Sequence, residues 1–114
     1  MASDRLNVYE RDVLLPLVCR MLTEANGRPL SSEVIADHIR RQGNAAGTRD
    51  VRRVINFIRC NAIIPCLAAG GNGYFVATNA DEITETINSL EGRVDAIQEV
   101  IEALKQQRYI KYNL

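Results

Sequence analysis

The feature that most restricts this chain lies near its C-terminus. Ile83, Ile87, Leu90, Val94, Ile97, Ile101 and Leu104 are separated alternately by four and three residues. That spacing is the seam of a coiled coil, and three heptads of it demand one uninterrupted helix. A helix over residues 79–107 is roughly 40 Å long. A small domain cannot easily cover such a length, so the pattern predicts a homodimer joined through these seven residues. The other arrangement open to the seam is packing on the chain's own first helix. Asn79 and Glu82 stand at capping-box spacing where the helix should begin. Gly92 falls on the outer side, where it costs about 1 kcal/mol against Ala without breaking the helix. The seam position after Leu104 is Arg108, so the stripe stops there. Residues 109–112 are expected to be a short extended piece or disordered.

The remainder of a 114-residue chain is enough for one domain. We therefore expect a domain over residues 1–78, followed by a C-terminal helix and tail over 79–114. Apolar residues make up 46% and charged residues 25%, the balance of a globular protein rather than a disordered one. No apolar run reaches the ~18 residues of a membrane helix, and the polar N-terminus lacks a signal-peptide core, so no membrane partner and a cytoplasmic location are expected. The three cysteines, Cys19, Cys60 and Cys66, cannot form a full disulfide framework. They are expected to be reduced and mostly buried.

Apolar spacing places a first helix over residues 12–25, with Leu14, Leu17, Val18, Met21, Leu22 and Ala25 inward and Pro16 in the first turn. Residues 1–11 are expected to fray. A second helix begins at a Ser31 or Ser32 cap and ends before Gly43, with Val34, Ile35 and Ile39 as its apolar residues and His38 as a further candidate for that side. Thr48 is the expected cap of a third helix running to Cys60. Its apolar residues Val51, Val54, Ile55 and Ile58 fill one arc of ~100°. Arg49, Arg52, Arg53 and Asn56 fill the opposite arc. Two short apolar runs, residues 63–68 and 74–78, flank a Gly/Asn turn and read as a β-hairpin, with Pro65 confining the first strand to an edge. The expected class is mainly α with a small β-hairpin (α+β).

The net charge is zero, yet residues 39–60 carry +5 and residues 79–104 carry −6. A basic middle suits a polyanion, whereas the plainer reading is a pair of solvated helix faces.

Helix, brief extended piece, helix, loop, helix and hairpin is an order that resembles the winged helix-turn-helix DNA-binding domain over residues 12–78. The resemblance implies that Leu30 joins the hairpin sheet, residues 32–42 form the supporting helix and residues 48–60 the recognition helix. Residues 70–73 correspond to the wing tip. Small bacterial and phage proteins of this kind often end in a dimerising helix, which residues 79–107 resemble. The chain departs from the pattern in a helix-to-helix loop of about five residues, longer than a repressor-type turn, and in a wing tip without Lys or Arg.

The chemistry of the residues agrees. Affinity for duplex DNA comes largely from Arg and Lys at phosphates. Arg recognises guanine and Asn recognises adenine bidentately in the major groove. Arg52, Arg53 and Asn56 are therefore the expected base readers, and Arg49 and Arg59 phosphate contacts. Arg40, Arg41, Ser31, Ser32 and Thr48 are further phosphate candidates, with Gly71 and Asn72 at the wing tip. A sequence-specific, dimeric DNA-binding protein follows, either a transcriptional regulator or a phage or mobile-element factor. The rival is an interaction module whose Arg face meets an acidic protein. An RNA-binding use of the fold is the third reading, disfavoured by the lack of stacking aromatics on that face. No nucleophile or acid–base constellation points to an enzyme, and neither a metal nor a cofactor is expected. Cys60 and Cys66 lack a His pair for a metal site, and Gly70–Gly73 is not followed by the Lys-Ser/Thr of a phosphate loop.

Overall fold

The computed structural model describes residues 5–114. Contacts divide the chain into two units, Met1–Ile83 and Thr84–Leu114, so the division falls inside the last helix rather than ahead of it.

The first unit opens with a helix that starts earlier than the apolar spacing indicates. Asn7 and Glu10 cap it reciprocally: the Glu10 N–H donates to Asn7 Oδ1 (2.7 Å) and the Asn7 N–H to Glu10 Oε1 (2.9 Å). Glu10–Leu14 is a π-helical turn, in which the Leu15 N–H reaches back to the Glu10 carbonyl. It leads directly into α1, Leu15–Glu24, with Pro16 in its first turn. Proline lacks an N–H and its ring crowds the carbonyl four residues back, and a turn wider by one residue relieves both. Residues 8–11 are thus helical rather than frayed, whereas residues 1–4 of that expectation lie outside the described residues.

α2, Ser32–Arg41, is capped by Ser31, whose hydroxyl accepts from the Val34 N–H at 3.1 Å. It ends at Gly43, whose φ of +90° suits glycine. α3, Thr48–Cys60, has Gly47 rather than Thr48 at its cap. Asp50 supports this start by reaching back, its carboxylate accepting from the Gly47 N–H (3.2 Å), while glycine offers no side chain to the first turn. The far end of α3 closes in a Schellman turn, Ile63 N–H to Ile58 carbonyl and Ala62 N–H to Arg59 carbonyl. Ala62 takes the left-handed position there, with φ +52°.

β1, Leu67–Gly70, pairs antiparallel with β2, Gly73–Val76, in the register Leu67↔Val76 to Gly70↔Gly73. Leu30 adds a one-residue bridge on the other side of β2, exchanging both backbone hydrogen bonds with Tyr74 (2.9 and 2.8 Å). β1 is therefore an edge. Pro65 sits in the turn ahead of it rather than within the strand, so no ladder position lacks a donor.

Three helices supply the core. Val18 from α1, Ile35, Ala36 and Ile39 from α2, and Val51, Val54, Ile55 and Ile58 from α3 are all 0% exposed. Burying a side chain of this kind stabilises the fold by about 1.5–3 kcal/mol. Val34, assigned above to the apolar side of α2, is 52% exposed, and His38 is exposed as well; Ala36 joins the core instead. Cys19 is half-buried, and burial pushes its thiol up. Cys60 and Cys66 are exposed, contrary to the expected burial, because one ends a helix and the other sits in a turn at φ +59°.

The second unit is helical up to Tyr112, and Asn113 leaves the helix at φ +60°. α4 spans Ala80–Tyr112. Its start is held by the Asn79 amide oxygen, which accepts from the Glu82 N–H, while Glu82 Oε1 accepts from the Thr78 N–H (2.7 Å). Residues 109–112 continue the helix instead of leaving it, since no Gly or Pro interrupts the run of helix-forming Lys, Gln and Arg after Leu104. The protein is mainly α, with one small antiparallel hairpin and a long C-terminal helix. Among the described residues no helix is long and apolar enough to cross a membrane.

Candidate nucleic-acid interface

Helical periodicity divides α3 cleanly. Its inward arc is entirely core, which fixes the rotation of the helix and turns Arg49, Arg52, Arg53 and Asn56 to the surface. Arg49, Arg52 and Asn56 are exposed and make no ion pair or side-chain hydrogen bond among the described residues. Two guanidinium groups and one amide are thus presented on one face with their donors facing solvent.

Arg53 is held differently. Its Nε lies 3.5 Å from Oε2 of Glu10, whose side chain is 3% exposed, while the Arg53 side chain is 50% exposed. The first turn of the protein is fastened beside it, because the Tyr9 hydroxyl donates to the Ala45 carbonyl at 2.6 Å in the loop between α2 and α3. No sequence pattern signals a pairing between residues 10 and 53. The only trace is a Glu standing three residues after an Asn, a capping-box spacing in a stretch read as frayed.

Arg40 and Arg41 end α2 and share Asp37. Arg41 Nε is 3.0 Å and Arg40 Nη2 3.8 Å from its carboxylate. Pairs of this spacing on a helix surface are worth only about 0.3–0.5 kcal/mol, too little to keep Arg41 from a phosphate. Arg40 has a second task, since its Nη1 donates to the Ala46 carbonyl (2.7 Å) and braces the loop that leads into α3. The charge window 39–60 begins just after Asp37, so it overstates the free positive charge on this side.

Arg59 is built into the hairpin rather than standing out as a phosphate contact. Its Nε donates to the Leu67 carbonyl (3.1 Å) and its guanidinium lies 5.2 Å from the centre of the Tyr74 ring. Ser32 is 6% exposed and so is withdrawn from the surface role assigned to it, the serine beside it having taken the cap. Thr48 is the first residue of α3 and partly buried, with the exposed Asp50 carboxylate at the same helix end. At the hairpin tip Gly71 and Asn72 are exposed. Gly73 is not interchangeable with them: a Cβ there would collide with the Leu30 carbonyl, and its φ is +126°.

In the second unit the seam residues from Ile87 to Leu104 are all exposed, from 39% at Leu90 and Ile101 to 62% at Val94. Ile83 is partly buried in the first unit, so the open stripe starts one position later than the spacing suggests. Six of the seven acids of α4 (Asp81, Glu82, Glu85, Asp95, Glu99 and Glu102) lie at positions away from the stripe, and Glu91 alone flanks it.

Among the described residues no three His, Cys, Asp or Glu side chains converge as metal ligands. No family model, curated protein or solved structure matches the chain.

Proposed function

We propose that the protein binds double-stranded DNA in a sequence-specific way, as a homodimer, with α3 in the major groove. The observation that carries this reading is the outward face of α3: exposed Arg49, Arg52 and Asn56, with Arg53 beside them, on a helix whose other face is wholly buried. A major groove ~12 Å wide admits one helix, and these are the side chains whose donors match guanine and adenine edges. Arg52, Arg53 and Asn56 read bases. Arg49 and Arg41 meet phosphates, and Arg40 supports the approach of α3 through the loop. The order of helices, the Leu30 bridge and the hairpin support the likeness to the winged helix-turn-helix domain drawn from the sequence. The open stripe on α4 supports self-association, which supplies two reading helices for two half-sites.

The reading is tested by selecting a duplex from a random pool and measuring single-position variants of it. Arg52→Ala and Asn56→Ala should each cost about 1–3 kcal/mol and relax preference at one position. Arg49→Ala should weaken every duplex alike and lower the salt slope by about one. If the Arg52 and Asn56 variants stay folded and bind all duplexes as the wild type does, the face serves another partner.

A further inference from the structure

We infer that Glu10 is a positioning residue that holds Arg53 as a fixed fork for guanine, so that the bound duplex carries a guanine at the position Arg53 faces. The inference rests on the DNA-binding reading above and deepens it. The Glu10 carboxylate is buried, and it is held by one hydrogen bond and one ion pair. Its Oε1 accepts from the Asn7 N–H and its Oε2 faces Arg53 Nε. The backbone that carries it is fixed as well, by the Glu10 N–H on Asn7 Oδ1 and by the neighbouring Tyr9 hydroxyl on the Ala45 carbonyl. A guanidinium approached at Nε keeps its two terminal amino groups as a planar pair, the geometry that matches guanine O6 and N7. An unheld arginine loses side-chain entropy when it docks, and a held one has lost part of it beforehand. Arg52, with no partner among the described residues, reads its base without this constraint. A carboxylate so deeply buried also requires its cation, so Arg53 cannot leave the pair at no cost.

A pair that merely tied the first turn to α3 would show the same geometry, and the test separates the two roles. The readout is the affinity ratio between the selected duplex and one in which the guanine facing Arg53 is replaced. Glu10→Gln keeps the volume and the acceptor for the Asn7 N–H but removes the charge. It should lower the ratio about tenfold, as should Arg53→Lys, which keeps the charge but has no fork. The double variant should fall no further than either single one. Glu33→Gln, an exposed acid in the first turn of α2, should leave the ratio intact. Hydrogen exchange of the arginine Nε–H groups in the free protein supplies an arm that needs neither variant nor DNA, with Arg53 expected to exchange more slowly than Arg52. An unchanged ratio in Glu10→Gln or in Arg53→Lys, or equal exchange at the two arginines, overturns the positioning role. A wild type with no preference among duplexes overturns the DNA reading itself, even if the exchange rates differ as expected.

Discussion

Arg59 and Arg53 are both cations of α3, yet the fold uses them differently from their neighbours. Periodicity assigns a side chain to a face, but it cannot say what another part of the chain brings to that face. The hairpin brings a carbonyl and a ring to Arg59, and the first turn brings a buried carboxylate to Arg53. Arg59→Ala should therefore destabilise the fold by about 1–2 kcal/mol through the lost hydrogen bond and ring contact. A urea titration checks this, and an unaltered midpoint would return Arg59 to the surface role. Two backbone positions give opposite expectations. Ala62 holds a left-handed turn that glycine fills without strain, so Ala62→Gly should stabilise by about 0.5–1 kcal/mol. Gly73 has a backbone where a Cβ would stand, so Gly73→Ala should destabilise by about 2 kcal/mol or more and loosen the Leu30–Tyr74 bridge, visible as faster amide exchange at both residues.

Among the elements, α2, α3 and the hairpin were the most legible, for definite reasons. Gly43 at a left-handed turn, a Ser cap and a 3.6-residue alternation of Val and Ile against Arg are strong local signals. All four residues assigned to the core arc of α3 are buried, and all four of the outer arc are exposed. The beginning and end of the chain were less legible. The π-helical turn depends on how Pro16 is accommodated, and the last turns of α4 had no apolar stripe to announce them. The candidate interface was legible as a face but not as a set of roles, because Arg40 and Arg59 take backbone and ring partners and Ser32 is buried, and only the folded chain supplies those surroundings. α4 has its own prediction. Val94 is at the centre of the open stripe, and an Asp there would bury a charge without a partner. Light scattering should give a dimer for the wild type and a monomer for Val94→Asp. A wild type that is monomeric at high concentration would remove self-association from the account.

At the scale of the whole molecule, the charge is separated by segment, with +5 over residues 39–60 and −6 over residues 79–104. The Arg-bearing face belongs to α3, and all seven acids after residue 78 belong to α4. A chain of zero net charge can still present a polyanion with a local concentration of cations, and its binding should then weaken steeply with salt. The measurement that tests this most directly is a titration of the full-length protein with duplex DNA at about 50 and 200 mM salt, the range over which several phosphate contacts change affinity greatly. The account predicts clear binding at low salt and a loss of at least tenfold at high salt, steeper for a selected site bound by the dimer than for the Arg49→Ala variant. No binding at low salt, or an affinity indifferent to salt, would contradict it.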